Sequence, residues 1–461
     1  MTEHLIFLLY ILVFISSSIG YGIVFSKIFE KEFLKLNLGY IGIIGIFFIT
    51  FIAAITSFFY AHNFYHNTIL HLVGLASFIF FIKDIVKKNF VLCLVMIFIM
   101  ILGVFVFKNH DDFPYYHLTY ALNLSENSFL VGTGAFGHGF KTPSSMFYYH
   151  SVLYMPGIKY FLFHTGPFFI LYFFNIIILS EIINKLKKKK FDFIYFLSLL
   201  SFIFINIVFY RISEHGTDRS SQILLIIIFL LFFEIIYTKE KNKNFLINLL
   251  FLTIVLAASI KVLYYIYFTL TLFLFFEKKI NFNYFFKHLA FLFIIFLFSF
   301  FFISKNFFST GCLIYPAEKT CFEKFEWSIP KPTVKIMNTH YEWWAKSGGG
   351  ANYKHKLSKE EYIKNFNWVQ NWYKKHFIGK ISDTLSAILL ITLIVILLFS
   401  GPSSKKIKRK KFRIYSMIPL LFLLEWFLNH PSMRYGGYIL FALPVFILTS
   451  RYLEKKKIEY G

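Results

Sequence analysis

The stretch Phe90-Val-Leu-Cys-Leu-Val-Met-Ile-Phe-Ile-Met-Ile-Leu-Gly-Val-Phe-Val-Phe107 carries no charge, and Lys108-Asn-His-Asp-Asp-Phe-Pro-Tyr-Tyr-His117 follows it directly. As a helix, an uncharged run of about 18 residues spans roughly 30 Å of hydrocarbon. Two carboxylates and two histidines therefore stand where that helix leaves a bilayer. Charge at such a boundary is costly and is commonly retained for a purpose.

Similar apolar runs recur along all 461 residues, at about 4–24, 38–60, 67–83, 89–107, 158–183, 193–210, 220–237, 245–259, 262–276, 288–304, 383–400, 415–428 and 438–450. The expected fold is all-α: a polytopic transmembrane helical bundle of about 13 spans with two larger extracytoplasmic loops. The runs around 245–276 read as one broken helix or two short ones. The composition agrees, since 16% charged residues is well below a soluble domain's share of about 25%. The first run lacks a basic flank and a small-residue cleavage pattern, and reads as a retained helix.

The formal net charge is +24. It is dispersed over short loops between apolar runs, which argues against a nucleic-acid-binding module and for the positive-inside pattern. Alternating the sides puts Lys27–Lys35, Lys83–Lys88, Lys185–Lys190, Lys239–Lys243, Lys278–Lys287, Lys405–Arg413 and Arg451–Lys457 together on a cytoplasmic face. The N-terminus is then outside and the C-terminus inside. Five consecutive segments follow: helices in 1–107, an outer loop 108–157, helices in 158–304, a large outer loop 305–382, and helices in 383–461.

The remaining polar features collect on the outer face. The first loop holds Asp111 and Asp112, with His110, His117, His138 and His150 and a glycine-rich stretch at 131–139. Asp111 or Asp112 is a candidate general base or ligand for a divalent cation such as Mg or Mn; the bland alternative is two carboxylates solvating a helix end. The histidines fit no standard zinc spacing, and the glycines lack the Lys-Ser/Thr of a phosphate loop. The segment Arg211-Ile-Ser-Glu-His-Gly-Thr-Asp-Arg219 reads as a surface ion-pair network or, through Arg219, as part of an anionic head-group site. Lys261, amid apolar sequence, either snorkels from a helix end or ligates a phosphate. His430-Pro-Ser-Met-Arg-Tyr435 puts Arg434 and His430 on a side whose short loops avoid basic residues, which suits phosphate recognition; interfacial anchoring by Arg434 and Tyr435 is the alternative.

In the large loop, Ser358 and Glu361 form a capping box. A helix continuing from it would align Tyr362, Phe366, Val369 and Tyr373 on one stripe, to rest on the membrane interface or cover the first loop. Trp343-Trp-Ala-Lys-Ser-Gly-Gly-Gly350 reads as a lid hinge or a flexible linker. Cys312 and Cys321 in this loop are expected to form a disulfide, whereas Cys93 lies in an apolar run as inert packing.

An acidic motif heading the first large outer loop, about a dozen spans, a second large outer loop and a His-Pro-x-x-Arg-Tyr type turn together resemble the GT-C glycosyltransferases. The resemblance implies an integral enzyme of a bacterial inner (plasma) membrane. Its donor would be a polyprenyl-phosphate-linked sugar and its acceptor a glycan, lipid or protein. Carried over, Asp111 or Asp112 would be the catalytic base or the metal-binding carboxylate, and Arg434 a carrier-phosphate ligand. Lys261, Arg219, His430, Tyr435 and His117 complete the candidate substrate-binding set. The chain departs from that family in having about four spans before its acidic loop. A surface-polysaccharide polymerase or ligase is the enzymatic alternative, and a membrane transporter the non-enzymatic one.

Overall fold

The structure is a computed structural model and describes residues 2–85, 90–105, 112–210, 216–237, 244–349, 356–399, 401–402 and 412–456. In chain order the helices are α1 (Thr2–Phe29), α2 (Leu38–Thr56), α3 (Phe64–Phe81), α4 (Phe90–Val104), α5 (Leu118–Glu126), α6 (Ser145–Ser151), α7 (Gly166–Lys187), α8 (Phe193–Val208), α9 (Asp218–Tyr237) and α10 (Asn244–Ile260). There follow α11 (Leu270–Phe276), α12 (Phe282–Lys287), α13 (Leu289–Thr310), α14 (Lys331–Lys346), α15 (Lys359–Ile363), α16 (Val369–Trp372), α17 (Ser382–Phe399), α18 (Phe412–Asn429) and α19 (Gly437–Leu453). Among the described residues there is no β-strand. Among the described residues seven helical stretches are long and apolar enough to cross a membrane, and six more apolar helices have 10–17 residues. The chain is therefore all-helical, with elements suited to a transmembrane bundle.

Two compact units are formed, one from Met1–Ser180 and Arg211–Lys331 and the other from Glu181–Tyr210 and Pro332–Gly461. Both are discontinuous in sequence, a grouping that hydropathy does not reveal.

In the first unit, α1 packs against α2 and α3 through small residues. A Cβ on Gly45 of α2 would lie 1.7 Å from the Ser18 carbonyl oxygen of α1. Close approach of this kind lets backbones pack where lipid supplies no hydrophobic drive between helices. Gly45→Ala is expected to destabilise the fold by about 1–3 kcal/mol or more, because the obstacle is backbone and cannot rotate away. A lowered thermal midpoint in detergent checks this, and an unchanged midpoint contradicts it.

Polar clusters mark the two ends of α13. At its start, Asn248 Nδ2 donates to Glu30 Oε2 at 2.6 Å and lies 3.0 Å from His288 Nδ1, while the Tyr284 hydroxyl donates to Asn248 Oδ1. Lys27 pairs with Asp84 near the same end of α1. Lys305, seventeen residues beyond His288, is in the second cluster, about 25 Å further along the helix axis at 1.5 Å per residue.

In the second unit, α8 packs against α17 and α19, with Phe196 on Phe399 and Phe204 on Phe446, each pair 5.5 Å apart. Glu454 ties this packing together, accepting from the Phe193 amide at 3.2 Å and from Arg451 at 2.6 Å.

The large loop differs from expectation in one respect. The Ser358–Glu361 capping box is present, with both of its hydrogen bonds. The helix it starts ends at Ile363, because Asn365 and Phe366 take left-handed backbone, φ 47° and 61°. Tyr362 is consequently fully buried, while Phe366 and Tyr373 are exposed, so the single stripe does not form. Trp368 and Trp372 turn inward instead. From Val369 the chain is helical without a break to Phe399.

Candidate functional site

In the loop that follows α4, Asp112 begins a short π-helical turn over Phe113–His117. The Tyr116 hydroxyl donates to Asp112 Oδ2 at 3.2 Å, so the carboxylate is held from within its own turn. The Tyr116 ring rests on Gly139, where a Cβ would lie 1.9 Å from it. That contact brings His138 and Lys141 toward the carboxylate. Burial and Lys141 lower the His138 pKa from its ordinary value, and Asp112 pulls it the other way. Asp112, Tyr116, His138 and Lys141 thus share one polar patch. Asp111 and His110 lie outside the described residues, as do Arg211, Glu214 and His215. Among the described residues no three His, Cys, Asp or Glu side chains converge as metal ligands. An ion on Asp112 would need groups outside the described residues, such as Asp111.

His117 is 2% exposed and packs between Tyr116 and Phe147, facing the protein interior. His150 is wholly buried, and burial, with smaller contributions from His117 and His164, pushes its imidazole down to about 3. A histidine whose folded pKa is lowered stabilises the fold fully above its unfolded value, near 6.5, and loses that stability as pH falls toward the folded value. By pH 5 the loss from His150 is about 2 kcal/mol. Thermal midpoints should drop between pH 6.5 and 5, and less steeply in His150→Gln; parallel profiles for the two proteins would contradict this.

Lys261 directly follows α10 in extended backbone, φ −141° and ψ 115°, where the α-helix ends. Its ammonium pairs with Asp218 Oδ1, and both side chains are more than four-fifths buried. The ion-pair reading of the Arg211–Arg219 segment and the lone lysine are thus two halves of one contact. Arg219 adjoins it in sequence and is half-buried. The same helix end is fastened to the first loop: Ser144 Oγ donates to the Ile260 carbonyl at 2.9 Å, and Ser259 Oγ donates to Ser145 Oγ at 2.9 Å.

In the second unit the Arg434 turn sits on the glycine stretch. Ser432 Oγ donates to the Gly348 carbonyl at 3.3 Å. Gly349 has φ +73°, and a Cβ there would lie 2.7 Å from Ser432 Oγ and 3.4 Å from Arg434 Cδ. Gly348 and Gly349 are therefore a packed support for the turn, neither a free linker nor an open hinge; Gly350 lies outside the described residues. The turn is further held by Trp426 Nε1 donating to the Ser432 carbonyl at 3.0 Å and Trp372 Nε1 to the Pro431 carbonyl at 2.5 Å. The Met433 amide donates to His376 Nε2 at 3.3 Å, which puts the His376 proton on Nδ1. Arg434 lies over the Tyr435 ring at 5.7 Å, and His430 Nε2 lies 3.9 Å from Glu425 Oε1. Cys312 and Cys321 are joined in a disulfide, and Cys93 is buried as a thiol.

Residues 4–441 match a family described as a domain of unknown function, DUF8201. The chain belongs to this family. No curated protein and no solved structure matches it.

Two features of this DUF8201 chain escaped the sequence reading. One joins α2, α3, α6 and the turns between them. His62 Nδ1 lies 2.6 Å from Ser151 Oγ, and Ser151 Oγ donates to the Tyr148 carbonyl at 2.9 Å. Both residues are fully buried, so this serine and histidine act as structure and not as nucleophile and base. Asn67 Nδ2 completes the junction with bonds to the carbonyls of His62, Ser151 and Tyr154.

The other is Lys305. It belongs to α13 and is 0% exposed. Its Nζ donates to Ser57 Oγ at 2.8 Å and stands 3.1 Å and 3.9 Å from the ring centres of Phe58 and Phe129. Burying an ammonium costs several kcal/mol. Cation–π contacts of up to about 2 kcal/mol each and a charge-assisted hydrogen bond of about 1.5–3 kcal/mol offset much of this. They supply no negative charge, and among the described residues no carboxylate pairs with Nζ.

Proposed function

We propose that the chain is a membrane-embedded glycosyltransferase, similar to the GT-C enzymes, that moves a sugar from a polyprenyl-phosphate carrier to an extracytoplasmic glycan, lipid or protein acceptor. The observation that carries this reading is the fastening of the Asp112 loop to the end of α10 by Ser144 and Ser145. It fastens Ser144 and Ser145, in the same loop as the proposed base Asp112, to the backbone next to Lys261, a cation fit for a leaving phosphate.

In the proposed reaction Asp112 takes the proton of the acceptor hydroxyl as that oxygen attacks the anomeric carbon. The bond from the anomeric carbon to the carrier oxygen breaks, its electron pair leaves with the lipid phosphate, and the sugar is inverted. Cations stabilise the charge that grows on the phosphate. Lys261 can do so only by sharing its ammonium with Asp218. Arg219 and Arg434 are the further candidates, Arg434 with His430 and Tyr435 on a turn that is firmly supported from beneath.

The topology belongs to the same proposal. The seven long and six shorter apolar helices together form thirteen spans, with the N-terminus outside and the C-terminus in the cytoplasm of a bacterial cell. Polar contacts support it, since each joins positions that alternation assigns to one face. Lys27–Asp84 and Glu30–Asn248 fall on the inner face. Ser57–Lys305, His62–Ser151 and Asp218–Lys261 fall on the outer one.

The test is reconstitution. Protein in vesicles is given a polyprenyl-phosphate-linked sugar and an envelope extract as acceptor, and release of polyprenyl phosphate is followed. Release that depends on both protein and acceptor supports the reading. A donor left intact across sugars and extracts, by protein shown to be folded, removes it.

A further inference from the structure

Beside the outer end of α13 lies an apolar groove of about 650 Å³. Phe58, Phe300, Phe301 and Phe308 line it, and Leu313 and Phe322, flanking the Cys312–Cys321 disulfide, give it a covalently braced rim. Ser304 is the sole polar residue in its wall. The groove opens on a face of α13 where Phe293, Phe296 and Phe300 are 57%, 62% and 51% exposed. In a helix suited to cross a membrane, such a face meets lipid. Phe58 has two roles here: it forms a wall of the groove and also covers the Lys305 ammonium.

We propose that this groove holds an acyl chain of an anionic membrane phospholipid, with Lys305 as the counter-charge that selects its headgroup. Two independent observations meet at Phe58. The groove offers a hydrocarbon chain a carbon-lined bed at the end of a span, the depth at which chains join headgroups. The buried ammonium has hydrogen-bond and ring partners but no paired carboxylate among the described residues. The Phe58 ring stands between the groove and the ammonium, so the headgroup reaches Lys305 only where that ring turns aside. A zwitterionic lipid carries its own cation and does not complement the site. The proposal is independent of the transferase reading.

The experiment uses the full chain in vesicles of equal phosphatidylglycerol and phosphatidylcholine, followed by detergent release and native mass spectrometry of retained lipid. The wild-type protein is expected to retain phosphatidylglycerol about fivefold over phosphatidylcholine, the ratio given by one lysine–anion contact. Lys305→Met should remove the preference, and Ser304→Trp, which fills the groove and leaves the lysine in place, should remove retention of either lipid. Thermal midpoints confirm that each variant is folded, and Ser304→Trp decides the matter if Lys305→Met does not fold. Equal retention of the two lipids by the wild type overturns the proposal. So does retention unchanged in Ser304→Trp, or displacement of phosphatidylglycerol by an equal amount of polyprenyl phosphate.

Discussion

Asp112→Asn is expected to lower sugar transfer by roughly 10²–10⁴-fold, the usual share of a general base. The change keeps the shape of the side chain, and its amide oxygen can still accept from the Tyr116 hydroxyl. Basicity and the negative charge are lost. Tyr116→Phe should cost less, about fivefold, because it removes one hydrogen bond worth on the order of 1 kcal/mol that aims the carboxylate. Asp111→Asn separates the two aspartates: a matching loss there, with Asp112→Asn active, would move the base by one residue. Normal transfer and normal surface glycan from the double variant would end the catalytic reading of this motif.

Asp218→Leu is expected to destabilise the protein by about 3–5 kcal/mol, because it removes the carboxylate that pairs with the Lys261 ammonium in a largely buried site. Lys261→Met is expected to cost a similar amount for the mirror reason. The double replacement Asp218→Leu with Lys261→Met should recover most of the loss, since apolar packing commonly equals a buried ion pair. Thermal unfolding of the four proteins in detergent forms a double-mutant cycle. Additive losses would show that the pair is not coupled. The rescued double variant has a second use. If Lys261 meets the leaving phosphate, that protein is stable and slow; if the pair only joins α9 to α10, it is stable and active.

Hydropathy revealed the helical class because span length is a local property. A run such as 289–304 announces itself whatever it packs against. The Ser358–Glu361 capping box was legible for the same reason, since its four residues contain all its partners. The break at Asn365 and Phe366 was not, because neither residue type demands left-handed backbone; the inward packing of Trp368 and Trp372 goes with it. Of the candidate site, sequence marked Asp112, Lys261, Asp218 and Arg434 as separate oddities. It could not pair Lys261 with Asp218, which lie on different helices, nor seat the Arg434 turn on Gly348 and Gly349. Lys305 was counted with the polar loop because the apolar run stops at Ser304. Its burial depends on Ser57, Phe58 and Phe129, more than 170 residues earlier.

The second unit takes α8 and the end of α7 from the middle of the chain, and the rest from Pro332 onward. At about 5–20 residues per second, the roughly 120 residues between these parts take about 6–25 s to synthesise. During that interval Phe196 and Phe204 have no Phe399 or Phe446 to meet, and α8 is without the partners of its own unit. Ending the chain after Lys331 therefore does not release a self-contained first unit; it yields that unit carrying a helix whose partners were never made.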